Sequence, residues 1–336
     1  MENKKKIIVY GLGKMYQKTK RYIEGRFEII GYSDIRNVAE MSGGGYIVPE
    51  DIEKYHYDYI CVTSTKYFVE IKEKLLSLLG SDTEDKIISL YDVLGDFRNS
   101  EVRDQWVIEQ LGKIPKGKVL LDAGAGEQKY KPYCTHLKYI AQDFGKYIPD
   151  EMDAGLQSES WDYSELSIQC DIIDMPLEKE SIDIVLCTEV FEHLENPILA
   201  IKEFARVLKP KGKLILTAPF CCLTHMAPYF YYNGFSEYWY RKHLDCYGFK
   251  LVEFTTNGNY FKYLSQELFR LEHMAKRYCD YELNDAETET IMKTMDIMGK
   301  LSGKDKGSSE TLCFGNMIVA EKEIDMERYP GMCGAG

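Results

Sequence analysis

Short apolar runs alternate with amphipathic stretches through the first hundred residues of the chain. Four apolar runs predict β-strands, at residues 5–13, 27–34, 57–65 and 86–90. Between them, apolar residues spaced three and four positions apart, or acids behind a proline, predict helices at residues 14–25, 49–55 and 66–80. Strands and helices that alternate with short loops are typical of a parallel sheet covered on both faces. The pattern therefore predicts a first α/β domain over residues 1–95.

The alternation restarts after residues 96–116, a charged stretch that serves as a linker or as the lead-in helix of a second domain. Strands are predicted at residues 118–126, 139–144, 181–189 and 213–220. Helices are predicted at residues 197–212, where Pro210 and Gly212 mark the stop, and at residues 263–278. Residues 249–261 and 311–323 are predicted to pair as an antiparallel hairpin at the sheet edge. This second α/β domain spans residues 117–325, with a polar loop at 299–310 and a flexible tail at 326–336.

Composition and charge narrow the class of ligand. The chain has 336 residues, a formal net charge of −12 and no stripe rich in lysine or arginine, which argues against a nucleic acid as partner. No apolar run approaches the roughly 18 residues that a membrane span needs, so stable membrane insertion is not expected. The ten cysteines are scattered without a C-x-x-C pair. We therefore expect a cytoplasmic protein with reduced thiols and no metal site.

A glycine-rich turn in the second domain suggests a nucleotide-type ligand. Gly124 and Gly126 follow Asp122 at the end of a predicted strand, and glycine lets a ligand lie against main-chain N–H groups. Asp143 ends the next strand, 17 residues past Gly126, where an acid can bind both ribose hydroxyls. Asp171 ends a third apolar segment. A helix cap for Asp122 and an ordinary turn for Asp171 are alternatives, but the ordered series favours a cofactor site.

Together with "CTEVFEHLENP" at 187–197 and "RVLKPKGKLILTAPF" at 206–220, these motifs resemble those of the class I S-adenosylmethionine-dependent methyltransferases. The similarity is to the type 11-like branch, often linked to glycan or secondary-metabolite modification, and spans residues 118–322. It implies S-adenosylmethionine as cofactor and a seven-stranded sheet with a closing antiparallel strand. It also implies that the methionine portion is held by Asp122, Gly124 and Gly126, the ribose by Asp143 and the adenine by Asp171 and Ile172, with Glu189 facing the cofactor. Glu127 stands where a third glycine is usual.

The segment at residues 218–244 follows the fifth strand, where methyltransferases of this shape place substrate-facing loops. Its histidines and aromatic side chains suit stacking on, and hydrogen bonding to, a sugar or another polar ring. His225 is predicted as the general base that removes a proton from a hydroxyl acceptor, with His193 and Tyr229 as further catalytic candidates. The alternatives are a loop histidine bonded to the backbone, a packing role for His193, and a purely apolar lid of tyrosines.

A weaker glycine turn lies in the first domain. Gly11 and Gly13 match two positions of G-x-G-x-x-G, Tyr16 replaces the third glycine, and Asp34 lies 21 residues past Gly13, where a ribose acid belongs. The segment resembles the small nucleotide-binding-like, Rossmann-like domains that precede some sugar-modifying transferases. Three interpretations stay open: a site for a nucleotide or nucleotide sugar, a site for a nicotinamide dinucleotide, and a degenerate scaffold for docking or homodimer formation.

Taken together, the sequence predicts two Rossmann-like doubly wound domains and a methyltransferase. We expect methyl transfer to a hydroxyl or amine of a small polar acceptor, a sugar or nucleotide sugar. A non-catalytic regulatory protein that binds a nucleotide or S-adenosylmethionine is the alternative from another class. A methyltransferase for a lipid-linked or aromatic acceptor is a third.

Overall fold

The computed structural model describes residues 4–34, 45–64, 67–148, 156 and 161–323, which form two compact units. The first unit combines the chain up to Arg98 with Tyr260–Lys306, and the second combines Asn99–Asn259 with the chain from Gly307 onward. The predicted tail at 326–336 lies outside the described residues. Each unit is therefore assembled from two separate segments of sequence.

The first unit is a four-stranded parallel sheet with the strand order β2-β1-β3-β4. Its strands are β1 (Lys6–Tyr10), β2 (Glu28–Ser33), β3 (Tyr59–Val62) and β4 (Ile87–Ser89). The helices that follow the predicted pattern are α1 (Lys14–Arg26), α2 (Phe68–Leu79) and the short α3 (Leu90–Leu94). Residues Pro49–Lys54 form a 3-10 helix where an α-helix was predicted, and Ile52 is its one buried side chain.

Two long helices of the first unit interrupt the sequence of the second. They are α7 (Tyr260–Cys279) and α8 (Asp285–Ser302). The prediction that residues 117–325 form one domain is wrong for this insertion, and α8 includes part of the predicted polar loop at 299–310. The physical reason is packing: Phe269 of α7 lies against Tyr22 and Phe97, and Arg26 of α1 pairs with Asp296 of α8 at 2.5 Å.

The second unit is built on a seven-stranded sheet with the strand order β10-β11-β9-β8-β5-β6-β7. Strand β11 runs antiparallel to both β9 and β10, and the other neighbouring pairs are parallel. The predicted α/β class and antiparallel closing hairpin are confirmed. The strands are β5 (Val119–Ala123), β6 (Lys138–Asp143), β7 (Ile168–Gln169), β8 (Ile182–Thr188), β9 (Leu208–Pro219), β10 (Phe249–Asn257) and β11 (Gly315–Lys322).

Helices cover both faces of this second sheet. On one face, α4 (Ser100–Gly112) buries Val107 and Leu111, so the stretch at 96–116 is mainly a lead-in helix. On the other face lie α5 (Pro197–Val207) and α6 (Glu237–Cys246). Helix α5 ends before the predicted stop at Pro210, because β9 already begins at Leu208. None of the helices in the described ranges has the length and apolarity needed to span a bilayer.

The parallel strands gather the predicted site at one edge of the second sheet. Because β5, β6, β8 and β9 point the same way, the loops after their carboxyl ends meet there. These loops carry the glycines after β5, Asp143 at the end of β6, Glu189 after β8 and the aromatic segment after β9.

Candidate functional site

The loop after β5 has a left-handed backbone at both of its predicted glycines. Gly124 has a φ of +76°, and a Cβ there would lie 2.4 Å from Cγ2 of Val190. Gly126 has a φ of +49°, and a Cβ there would lie 3.0 Å from the indole ring of Trp161. Any side chain at Gly124 would therefore be strained by the backbone and would collide with Val190.

Asp143 closes this loop at the end of β6. Its Oδ2 accepts a hydrogen bond from Gly126 N at 2.9 Å, and its Oδ1 accepts one from Gly145 N at 2.9 Å. Burial raises the pKa of the Asp143 carboxyl, and the hydrogen bonds from the backbone amides oppose that rise. Each carboxylate oxygen can accept a second hydrogen bond, so the arrangement leaves capacity for ribose hydroxyls.

Gln142, which the sequence analysis missed, links the loop to β7. Its side chain is buried, its Oε1 accepts from Gly124 N at 3.3 Å, and its Nε2 donates to the Cys170 carbonyl at 2.7 Å. Asp171 follows Cys170 and is exposed, with its Oδ1 accepting from Ile173 N at 3.2 Å in a turn. The side chain of Ile172 is buried in the core. The adenine role of Asp171 and Ile172 stays a prediction.

Asp122 lies beneath the loop and is almost completely buried. Its Oδ2 accepts a hydrogen bond from the Tyr139 hydroxyl at 2.5 Å, on the side of the sheet that α4 covers. Burial raises the pKa of the Asp122 carboxyl to about 7, against the lowering effect of the Tyr139 hydrogen bond. In the structure Asp122 is a buried residue at the end of β5 that is hydrogen-bonded to Tyr139. Its contact with the methionine portion of the cofactor stays a prediction.

Glu189 follows β8 in a left-handed conformation, with a φ of +54°. Such backbone is uncommon outside glycine and clusters at functional sites. Thr217 Oγ1 donates to Glu189 Oε1 at 2.9 Å, and Arg103 Nη1 pairs with Glu189 Oε2 at 2.9 Å. Arg103 belongs to α4, and sequence reasoning missed it because no motif or spacing joins that helix to the end of β8.

Two histidines and a buried glutamate converge beside Glu189. Glu192 lies in a 3-10 turn, with its Oε1 3.7 Å from His193 Nε2 and 3.9 Å from His225 Nε2. The imidazole rings of His193 and His225 meet edge to face, with centroids 4.7 Å apart. The predicted candidates His193 and His225 are thus brought together, and Glu192 joins them although no sequence argument singled it out.

Hydrogen bonds to carbonyls set the tautomers of both imidazoles. His193 Nδ1 lies 2.5 Å from the Tyr229 carbonyl, and His225 Nδ1 lies 2.9 Å from the Leu223 carbonyl. A carbonyl only accepts, so each Nδ1 carries the proton and each Nε2 keeps its lone pair. Burial lowers the pKa of His193 to about 4, whereas burial and the neighbouring Glu189 carboxylate raise the pKa of Glu192 well above its ordinary value. His193 and Glu192 are therefore not an ion pair at neutral pH.

The aromatic residues of the segment after β9 surround this cluster. Phe230 packs against His225 with ring centroids 5.1 Å apart, and Tyr229 meets Phe144 edge to face at 5.0 Å. Tyr229 contributes its backbone carbonyl, which accepts the hydrogen bond from His193 Nδ1 and so orients that imidazole. His243 is not part of the cluster and packs against Trp239 in a tilted arrangement, with ring centroids 4.6 Å apart.

Two protein-family models match separate parts of the chain. Residues 121–216 match the family model described as a methyltransferase domain, and residues 3–88 match the model described as C2185-like, N-terminal. The first match spans the loop after β5, the acid at the end of β6 and the Glu189 turn. Residues 121–216 are a methyltransferase domain. This domain belongs to the S-adenosylmethionine-dependent methyltransferases, and its cofactor is S-adenosylmethionine.

Curated relatives resemble the methyltransferase domain over part of their length. The chain is 33% identical over 115 residues to an uncharacterized methyltransferase-like protein of Schizosaccharomyces pombe, covering 32% of this chain and 41% of that one. It is 29% identical over 119 residues to a probable S-adenosylmethionine-dependent methyltransferase of Mycobacterium tuberculosis, covering 35% and 41%. It is 24% identical over 209 residues to a tRNA (carboxymethyluridine(34)-5-O)-methyltransferase of Arabidopsis thaliana, covering 60% and 48%. The chain thus spans less than half the length of these relatives.

A solved structure also resembles the chain. An S-adenosylmethionine-dependent methyltransferase from Archaeoglobus fulgidus matches 66% of this chain and 94% of its own, with a TM-score of 0.41 and 14% sequence identity.

The residues of the methyltransferase domain fit S-adenosylmethionine by their own geometry. Gly124 is a position where a Cβ would collide with Val190, so the tight turn at the end of β5 requires glycine. Asp143 offers a buried carboxylate at the end of β6, held at a fixed angle by two amides. A glycine turn followed by a strand-end acid is compatible with a nucleoside whose ribose is bound by the acid. The fit therefore rests on the loop and on Asp143.

The residues predicted for a second nucleotide site lie near one another in the first unit. Asp34 Oδ2 accepts from Leu12 N at 2.9 Å, and Gly11 has a φ of +95°. Gly13 caps α1 without a side-chain hydrogen bond, and Tyr16 is buried against Tyr32. A cavity of about 350 Å³ in this unit has Tyr10, Asp34, Tyr46, Glu50 and Lys74 in its walls. A nucleotide in this unit stays a prediction.

Proposed function

We propose that the protein transfers a methyl group from S-adenosylmethionine to a hydroxyl or amine of a small polar acceptor, a sugar or nucleotide sugar. The observation that carries the proposal is the pair of oriented imidazoles at the edge of the sheet that holds the cofactor loop. Both keep an Nε2 lone pair, and both lie among aromatic side chains suited to a polar ring.

The cofactor supplies an electrophilic methyl group. The protein therefore has to bind the cofactor and the acceptor, orient them for the transfer and remove one proton from the acceptor. Asp143, Gly124 and Gly126 are proposed to hold the nucleoside, with Asp122 supporting the loop. Glu189 is fixed by Thr217 and Arg103 and is proposed to face the cofactor from β8. Asp171 and the backbone at Ile172 are proposed to contact the adenine.

His225 is the proposed general base. Its Nδ1 donates to the Leu223 carbonyl, which directs the Nε2 lone pair toward the cluster, where an acceptor proton can be received. Its side chain is 26% exposed, whereas that of His193 is 12% exposed. His225 is therefore the imidazole that an acceptor from solvent reaches first, and His193 and Tyr229 are proposed to position it.

The acceptor class follows from the walls of the site and from charge. Aromatic rings beside polar tips suit a sugar ring, because they combine stacking with hydrogen bonds. The net charge of −12 does not favour a polyanion such as tRNA, the substrate class in the name of the Arabidopsis relative. We also propose a reducing, cytoplasmic location, since Cys61, Cys134, Cys187 and Cys313 are buried thiols outside any disulfide.

An acceptor screen with isotope-labelled S-adenosylmethionine tests the function in the full chain. We expect label in nucleotide sugars or simple glycosides and none in tRNA. His225→Ala should lower turnover at least about 100-fold, in line with the loss of a general base, while the Kd for S-adenosylmethionine stays unchanged. His243→Ala is the matched control, because His243 lies in the same unit outside the cluster. Label found in tRNA alone would contradict the acceptor, and unchanged turnover in His225→Ala would contradict the base.

The two domains are proposed to divide the work, with the first as a substrate handle or a docking surface. Because α7 and α8 pack within the first unit, a fragment of residues 1–95 would lack part of its own core. Equilibrium binding of UDP, nucleotide sugars and NAD is therefore best measured on the full chain and on its Asp34→Asn variant. Binding that the variant loses supports the handle, and no binding of any of the three supports docking or homodimer formation.

A further inference from the structure

We propose that Glu192, His193 and His225 form a binding site for a divalent transition-metal ion, with zinc as the reference ion. The carboxylate oxygen and the two ring nitrogens lie within 4.8 Å of one another. The inference concerns metal binding itself, so it holds whether or not the acceptor proposed above is right; a bound ion would occupy the His225 Nε2 lone pair and so replace His225 as the free base.

The separations of the ligand atoms are close to those of a filled site. Zinc binds imidazole nitrogen and carboxylate oxygen at about 2.0–2.2 Å, which puts neighbouring tetrahedral ligands about 3.4 Å apart. Glu192 Oε1 lies 3.7 Å and 3.9 Å from the Nε2 atoms of His193 and His225. Side-chain shifts of about 1 Å or less would therefore close the three groups onto one ion.

The hydrogen bonds around the cluster are those of metal-binding histidines. A ligating imidazole commonly donates its other ring N–H to a carbonyl or carboxylate, which fixes both the tautomer and the ring orientation. His193 does so through Tyr229, and His225 does so through Leu223. Both Nε2 atoms therefore keep a lone pair and lie within 4 Å of Glu192 Oε1, although neither can donate a hydrogen bond to it.

Glu192 supplies an independent reason for a cation. Its side chain is 1% exposed, and its Oε2 is buried without a hydrogen-bond partner among the described residues. The Arg103 guanidinium forms its ion pair with the neighbouring Glu189. A buried carboxyl group with no donor is costly, and a metal ion at Oε1 would compensate it.

The ligand set and the access route indicate the class of ion. Two imidazoles and one carboxylate suit zinc and other first-row transition metals, whereas magnesium and calcium prefer oxygen ligands throughout. His225 is partly exposed, so an ion can enter from its side. Three protein ligands leave at least one coordination position open for water or an acceptor hydroxyl.

Metal binding to the full chain tests the site directly. After dialysis against a chelator, zinc chloride is titrated by calorimetry, and cobalt(II) is titrated by absorption. We expect about one zinc ion per chain, and a cobalt spectrum without the near-ultraviolet thiolate band that ligation by cysteine would give. Substoichiometric or no zinc binding would overturn the proposal, as would a thiolate band.

Variants decide whether these three residues are the ligands. Glu192→Gln and His225→Ala should each weaken zinc binding at least about 100-fold, and His243→Ala should leave it unchanged. Zinc affinity that is equal in all four proteins would overturn the assignment. S-adenosylmethionine affinity, measured on the same samples, shows that the variants are folded. In the methyl-transfer assay, activity lost on chelation and restored by zinc supports His225 as a ligand. Activity that survives chelation supports His225 as a free base and overturns a metal role in the reaction.

Discussion

Each of the two glycine loops has the same kind of anchor, a hydrogen bond from a loop N–H to a strand-end aspartate. The two loops differ in the side chains around that bond. In the first unit Asp34 Oδ2 accepts from Leu12 N at 2.9 Å, and in the second Asp143 Oδ2 accepts from Gly126 N at 2.9 Å. Both acids are 4% exposed. A strand-end acid bound to its glycine turn is therefore a feature of this fold, and by itself it does not identify a cofactor site.

The difference lies in the neighbouring strands. In the first unit Tyr16 fills the position of the third glycine and packs at 5% exposure against Tyr32. In the second unit the next strands add an ion-paired glutamate, Glu189, and the cluster around Glu192 at the same sheet edge. The chemistry of the second loop thus comes from side chains that converge on it, and matched substitutions in the two loops should separate fold from function.

The largest difference is expected from alanine at the first glycine of each loop. Gly124→Ala combines a φ of +76° with a Cβ 2.4 Å from Val190, whereas Gly11→Ala at +95° approaches Thr63 Oγ1 at 3.2 Å. We expect Gly124→Ala to destabilise the second unit by about 2–4 kcal/mol and to weaken S-adenosylmethionine binding at least about 100-fold. Gly11→Ala should leave that affinity within about twofold.

Calorimetry and denaturant unfolding check this pair. Trp106, Trp161 and Trp239 are the three tryptophans of the chain and all belong to the second unit, so tryptophan fluorescence follows that unit alone. A Gly124→Ala protein that binds S-adenosylmethionine as tightly as the parent chain would contradict the role of this loop.

The second-largest effect is expected from substituting the strand-end aspartate of each loop, Asp143 and Asp34. Asp143→Asn keeps the size of the side chain but loses the charge that would bind ribose hydroxyls, so we expect about 10- to 100-fold weaker S-adenosylmethionine binding. Asp34→Asn should not change that affinity. Calorimetric titration of both variants decides the matter, and equal losses in the two would mean that the cofactor also depends on the first loop.

Local sequence pattern was enough for much of this architecture. Apolar runs placed the strands in both units, and the run at 311–323 was predicted to pair with 249–261, as β10 and β11 do. The sequence pattern could not show that α7 and α8, which lie between β10 and β11 in the sequence, belong to the first unit. Helical periodicity reveals an apolar face but not the surface that this face covers. The domain boundary failed for that reason.

The site was predictable only where residues follow one another in motifs. The loop glycines and Asp143 belong to one strand–turn–strand unit, so spacing located them. Arg103 reaches Glu189 from a helix 86 residues earlier, and Glu192 meets His225 across 33 residues. These contacts depend on tertiary packing, which leaves no local signal. The expectation that no metal site exists considered the cysteines alone, and it stays a prediction that the proposed Glu192–His193–His225 site opposes.

A smaller effect is expected from pH through Asp122, which has no buried counterpart in the first loop. The pKa of its carboxyl is about 7 in the folded chain, against about 3.9 when unfolded. Between these values the folded state holds a proton that the unfolded state has lost, so the stability of the second unit falls as the pH rises from about 4 to 7. Asp122→Asn should flatten this decline.

Denaturant midpoints at pH 5, 6, 7 and 8, followed by tryptophan fluorescence, measure that slope. Asp34→Asn is the matched control and should keep the slope of the parent chain. A slope that Asp122→Asn leaves unchanged would mean that another buried carboxyl, such as Glu192, carries the effect.

The smallest expected effect concerns Trp161, whose ring contacts the second loop at Gly126 and also packs against Tyr147 at 5.6 Å. Trp161→Phe keeps an aromatic ring in place, so the affinity for S-adenosylmethionine should change by less than about fivefold. The fluorescence change on cofactor binding should nevertheless disappear, because the reporting indole is gone. Trp239→Phe, which alters a ring beside His243, should retain that change. A signal that persists in Trp161→Phe and vanishes in Trp239→Phe would place the cofactor next to the aromatic segment and away from the glycine loop.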